Sequence, residues 1–222
     1  MLENRLIVVT GAGGRLGRRM VQDFARHGAT VAAVLRREAA APSVPQEDGV
    51  HLFFADATEE AAVEEVFGAI ARQCGPPDAL VHTVGGWEAR PFLETTAAQW
   101  DAMLRVNLTS AFLCFRAAAR VMQAGGRGGR LIGIAAGQGA DRGAAEQAAY
   151  SAAKAGVIRL VEAVAAEFAG TGLTAHAIAP SMILYDEDGG KGVRAADLVA
   201  LCRYLCTGAG AALNGATLRA YG

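Results

Sequence analysis

The sequence predicts an α/β fold: a doubly wound parallel sheet of about seven strands with helices on both faces. Three observations carry this. Short β-branched runs alternate with longer helical patterns, most of the runs are apolar nearly throughout, and a glycine cluster separates the first run from the first helix. Parallel strands need a long crossover, usually helical, and a strand apolar along its whole length is covered on both faces.

The predicted strands, in order, are Arg5 to Thr10 (RLIVVT), Thr30 to Leu35 (TVAAVL), Val50 to Ala55 (VHLFFA), Ala79 to Val84 (ALVHTV), Arg130 to Ala135 (RLIGIA), Leu173 to Ala179 (LTAHAIA) and Ala216 to Tyr221 (ATLRAY). Between Leu35 and Val50 two prolines predict mostly loop. Thr96 and Gln99 have the spacing of a capping box, opening a helix that runs to about Ala124 with Met103, Val106, Leu108, Ala111, Phe115 and Met122 on a broad apolar surface. A further helix is predicted from about Ala148 to Phe168. Both are more apolar than a helix with one wet side requires. Pairing between subunits accounts for the excess, and full burial in a monomer is the alternative.

At 222 residues and 52% apolar the chain can bury one sizeable core, so residues 1–222 are read as one domain. Twenty-one basic residues against 22 acidic, with the arginines scattered, exclude an electrostatic footprint for nucleic acid or an anionic membrane. Glu3 precedes a very short apolar run, which is neither a signal peptide nor an anchor, and a cytoplasmic location is expected. Cys74, Cys114, Cys202 and Cys206 form no CxxC and have no histidine at ligand spacing, so buried free thiols are expected and no metal site.

The chemistry begins at TGAGGRLG, Thr10 to Gly17. Glycines directly after a strand and at the opening of a helix let the backbone approach a pyrophosphate, whose charge then meets free N–H groups and the positive end of the helix. After the second strand such a site needs a partner for the adenosine ribose. An acid there fits NAD, whereas an arginine pairs with the extra phosphate of NADP. Here the residues are Leu35-Arg36-Arg37, so NADP(H) is favoured over NAD(H), with Arg36 as the main phosphate contact and Arg15 as a second. The alternative leaves both arginines as solvated surface charges.

Tyr150 and Lys154 stand four apart on a predicted helix and so share a face. A nearby ammonium favours the phenolate and turns a weakly acidic phenol into a usable proton donor and acceptor. With these residues placed, nearly the whole chain resembles the short-chain dehydrogenase/reductase family of Rossmann-type enzymes. The likeness rests on TGAGGRLG, Asp56-Ala57, Val84-Gly85-Gly86, VNLTSAF with Asn107, YSAAK, Ala179-Pro180 and the closing NGATLRAYG. It implies Tyr150 as proton donor, Lys154 as its tuner and as ligand of the nicotinamide ribose, and Asn107 in a proton relay. It implies cofactor contacts from Gly11, Gly14, Arg15, Leu16, Gly17, Asp56, Ala57, Val84, Gly85 and Pro180, and a homodimer or homotetramer.

The departures from the family pattern carry as much information. The glycine turn is closer to a G-x-x-G-x-x-G form through Gly11, Gly14 and Gly17, and His82-Thr83-Val84-Gly85 replaces Asn-Asn-Ala-Gly, with His82 read as a buried replacement. The usual carbonyl-polarising serine is Ala136, and Ser151 points about 100° away from Tyr150 on the helix. The segment after Pro180, with Tyr185, is short, which predicts an open site. Dihydropteridine reductases similarly lack the serine and have Gly-Gly-Trp after the fourth strand, as Gly85-Gly86-Trp87 does here. Trp87 is either a stacking surface for a flat substrate or a hydrophobic plug. The resulting expectation is an NADPH-dependent reductase of a flat or conjugated small molecule. The alternatives are an ordinary carbonyl reductase in which water, Gln138 or a backbone amide replaces the serine, and a catalytically idle NADP(H)-binding sensor or assembly subunit.

Overall fold

The computed structural model describes residues 2–222, the side chain of Ala39 excepted. Its elements are β1 (Leu6–Thr10), α1 (Arg15–Arg26), β2 (Thr30–Leu35), β3 (Val50–Phe54), α2 (Glu60–Cys74), β4 (Ala79–His82), α3 (Ala97–Leu104), α4 (Ser110–Ala124), β5 (Gly129–Ile134), α5 (Gly137–Ala140), α6 (Ala148–Glu167), β6 (Leu173–Pro180), β7 (Ile183–Leu184), β8 (Val193–Arg194), α7 (Ala195–Leu205) and β9 (Thr217–Ala220). Every predicted strand forms, within two residues at either end. The large sheet has the order β3-β2-β1-β4-β5-β6-β9, and all its pairings are parallel.

The apolar runs explain the two layers. Along β1, Val8 packs with Val66, Phe67, Phe115 and Val157 from α2, α4 and α6, whereas Ile7 and Val9 pack with Met20, Phe24, Leu198 and Cys202 from α1 and α7. Period-two alternation thus feeds two separate cores from one strand. The strand order reverses between β1 and β4, where Thr10 pairs with His82, and the crevice beyond those carboxyl ends is where such sheets bind ligands.

Thr96 caps α3 as expected: its Oγ1 accepts from the Gln99 N–H at 3.3 Å while Gln99 Oε1 accepts from the Thr96 N–H at 3.0 Å. The long helix read from there to Ala124 is interrupted, however. Residues Arg105–Thr109 form one π-helical turn with Asn107 buried inside it. The cause is side-chain competition for backbone carbonyls, since Asn107 Nδ2 donates to Met103 O at 3.1 Å and Ser110 Oγ to Val106 O at 2.7 Å. The 35–50 connection contains a short 3₁₀ turn, Glu38–Ser43, within its loop. After Pro180 the chain folds into the small β7–β8 ladder before α7.

Candidate active site

The site is built from the glycine turn outward. Gly11 adopts φ +74°, and a Cβ on Gly17 would lie 2.3 Å from Gly11 O, so α1 can begin against the turn only if that position is glycine. No side chain caps α1 at Gly14, and its first turn carries no acidic residue. Its leading N–H groups and positive dipole end therefore face the crevice without an internal counter-charge, which is the arrangement a pyrophosphate requires.

Two clefts meet here, sharing Gly14, Thr83 and Gly85. The smaller, about 270 Å³, is lined by Gly11, Arg36, Asp56, Ala57 and Val84 among others. The larger, about 620 Å³, is lined by Arg15, Leu16, Gly17, Asn107, Tyr150, Lys154 and Pro180, with Trp87, Ala136, Gln138, Gln147 and Met182. Every residue expected from sequence to serve cofactor or catalysis thus borders one cleft or the other. Asp56 accepts from the Thr58 N–H at 2.9 Å and from its hydroxyl at 2.7 Å, and these bonds, with Arg36 and Arg105 nearby, hold its carboxyl below the usual range despite burial.

His82 is the buried replacement the sequence implies. It is 2% exposed, with Nδ1 2.8 Å from Thr10 Oγ1 and Nε2 3.2 Å from Ser110 Oγ, and burial lowers its pKa to about 3. A neutral imidazole here ties the end of β1 to the start of α4. Thr83 Oγ1 donates to Thr10 O at 2.8 Å, joining the ends of β4 and β1.

Lys154 is 5% exposed, and its Nζ donates to Ile134 O at 2.9 Å; loss of hydration lowers its pKa to about 8. Its ammonium lies 5.8 Å from the centroid of the Tyr150 ring. Burial pushes the Tyr150 pKa up. The phenol stays protonated through neutral pH. Asn107 Nδ2 also donates to Gly86 O at 3.0 Å, and its Oδ1 accepts from the Gly86 N–H at 3.2 Å, fixing the turn that leads to Trp87.

Ala136 is buried at the end of β5 and lines the larger cleft. Ser151 Oγ accepts weakly from the Ala144 N–H at 3.4 Å and does not border either cleft. Trp87 is 63% exposed on the rim, with Met182 also exposed on it, so Trp87 is no hydrophobic plug and the cleft opens to solvent as the short segment implied. Arg15 stands on the larger cleft, separate from Arg36 on the smaller one. Its guanidinium lies 3.8 Å from the Tyr185 ring centroid and pairs with Glu187 at 2.6 Å. Sequence reading missed this strap between α1 and the β7–β8 segment, since no local pattern links residues 172 positions apart.

A doubly wound parallel sheet with an uncapped glycine turn at its switch point, and a Tyr–Lys pair in the adjoining cleft, defines a dinucleotide-binding oxidoreductase. Comparison with known proteins agrees. The family described as short chain dehydrogenase matches residues 5–189, and the chain belongs to that family of NAD(P)-dependent oxidoreductases. The chain is 32% identical over 189 residues to D-threitol dehydrogenase of Mycolicibacterium smegmatis, covering 82% of this chain and 72% of that one. It is 30% identical over 184 residues to sorbitol dehydrogenase of Cereibacter sphaeroides, covering 82% and 72%. A crystal structure of a short-chain dehydrogenase/reductase from Burkholderia xenovorans superposes with a TM-score of 0.89 at 28% identity, covering all of this chain and 96% of that one. No described helix is long and apolar enough to cross a membrane, and no described group of three or more His, Cys, Asp or Glu could hold a metal.

Proposed function

We propose that residues 1–222 act as one NADP(H)-dependent reductase unit for a small, flat or conjugated carbonyl, imine or quinonoid substrate, with Tyr150 as proton donor. The observation that carries this is the pairing of Tyr150 and Lys154 in one cleft with Ala136, which offers no hydroxyl at the end of β5. A substrate that spreads its developing charge over a conjugated system has less need of that donor. The exposed face of Trp87 on the rim supports a flat substrate. So does the local likeness of Gly85-Gly86-Trp87 to dihydropteridine reductase.

The N–H groups of α1 and the glycine turn would hold the pyrophosphate, Asp56 and Ala57, with Val84 on the same cleft, the adenosine half, and Gly85, Pro180 and Lys154 the nicotinamide half. The bound nicotinamide supplies the hydride. Tyr150 gives its proton to the reduced heteroatom, and Asn107, on the same cleft, would take part in the relay that restores it. Arg36 on the smaller cleft supports NADP(H). The measurement that tests this is the dissociation constant for NADPH against NADH. Arg36→Ala is expected to weaken NADPH by about 10- to 100-fold, the worth of a charge-assisted hydrogen bond, with NADH nearly unchanged. Equal weakening of both would place the 2′-phosphate elsewhere.

A second reading, an ordinary carbonyl reductase or dehydrogenase with a substitute for the serine, is favoured by the polyol dehydrogenases among the relatives. Assembly as a homodimer or homotetramer is supported by an apolar groove of about 510 Å³ on the outer faces of α4 and α6, where Phe112 is 43% exposed beside Leu160, Val164 and Phe168.

A further inference from the structure

Gln147 lies three residues before Tyr150, at the cap of α6, and it borders the larger cleft together with Tyr150, Lys154 and Trp87. Its Oε1 is buried without a hydrogen-bond partner among the described residues. A buried carboxamide oxygen left unpaired is costly, and such an atom in a ligand cleft is matched by a donor on the ligand. The backbone around it is built to hold that placement. Glu146 is forced to φ 61°, in the left-handed region that a glutamate avoids, and is held there by the Arg90 N–H donating to its carbonyl at 2.6 Å. The Gln147 N–H donates to Ala144 O at 3.2 Å, and Gln147 O accepts from the Ser151 N–H at 2.8 Å, fixing the residue as the cap of α6.

We propose that Gln147 is a specificity-determining residue whose Oε1 accepts a hydrogen bond from an N–H or O–H of the substrate close to its reducible carbon. The substrate class is then narrower than a flat carbonyl compound: it carries its own donor, as a cyclic amide, an enamine-type N–H or an α-hydroxyketone does. This rests on the reductase reading above, which supplies the reducible centre facing Tyr150.

Isatin and N-methylisatin test it, being flat dicarbonyl compounds of nearly the same shape that differ in one N–H donor. Dissociation constants are measured with and without NADP+, and kcat/KM with NADPH. The wild-type protein is expected to prefer isatin by at least about tenfold, the worth of one well-made hydrogen bond to a buried acceptor. Gln147→Leu should bring that ratio close to one by weakening isatin alone, with Gln147→Met as a second apolar variant, while Gln147→Glu keeps the acceptor and the preference. A merely structural glutamine would move both ligands together. A wild-type ratio near one, or a preference that survives Gln147→Leu, overturns the proposal. A binding preference that vanishes in Gln147→Leu, without NADPH oxidation by either compound, would support Gln147 as the donor reader and fail the reductase reading instead.

Discussion

Tyr150→Phe is expected to reduce turnover by about a hundred- to ten-thousand-fold, the usual contribution of a positioned acid, while NADPH binding changes only a few-fold. The change removes one hydroxyl and keeps the ring, so packing around α6 should hold and melting temperature should move little. Lys154 remains anchored to Ile134 O at 2.9 Å and keeps its place in the cleft. Loss of turnover without loss of binding separates an enzyme from an NADP(H)-binding sensor, to which the hydroxyl is irrelevant. Steady-state rates on the variant, beside a direct cofactor titration, give both quantities. Retained turnover would move the proton donor to another group on the cleft.

Ala136→Ser is expected to act in the opposite sense. A single donor to a developing oxyanion is worth about a hundred- to thousand-fold in rate. Restoring a hydroxyl at the buried end of β5, in the cleft that Tyr150 also lines, should therefore raise reduction of a plain ketone by about that factor. Conjugated substrates, whose charge is already spread, should gain little. The ratio of kcat/KM for plain over conjugated substrates before and after the substitution is the quantity to measure. No gain on the plain ketone would mean that the polarising group already stands elsewhere on the cleft.

The fold was legible because its signals are local. Most of the seven runs, Thr30 to Leu35 among them, are apolar nearly throughout, and a sheet covered on both sides accommodates them. The glycine turn, Tyr150 and Lys154 were legible because each is defined by spacing along one element. What stayed hidden depends on contacts between elements. The π turn arises from the Asn107 and Ser110 side chains taking the carbonyls of Met103 and Val106, which leaves the apolar pattern almost unchanged. Arg15 keeps its place in the glycine turn on the larger cleft, and the carboxylate of Glu187 and the ring of Tyr185 reach it there from far along the chain. The upward shift of Tyr150 likewise comes from burial, which a Tyr–Lys spacing does not reveal. Gln147 stands three residues before Tyr150 at the cap of α6, a position with no pattern of its own, and only its unpaired oxygen makes it informative.

The central claim is that Ala136 marks a reductase specialised for substrates that spread their own charge. It is tested most directly by following NADPH oxidation, with NADH alongside, against a quinonoid dihydropterin, a quinone, an activated diketone and a plain ketone. The account predicts turnover of the conjugated compounds with NADPH and little with the plain ketone. Equal turnover of the plain ketone, or tight NADPH binding with no turnover of any of the four, would contradict it.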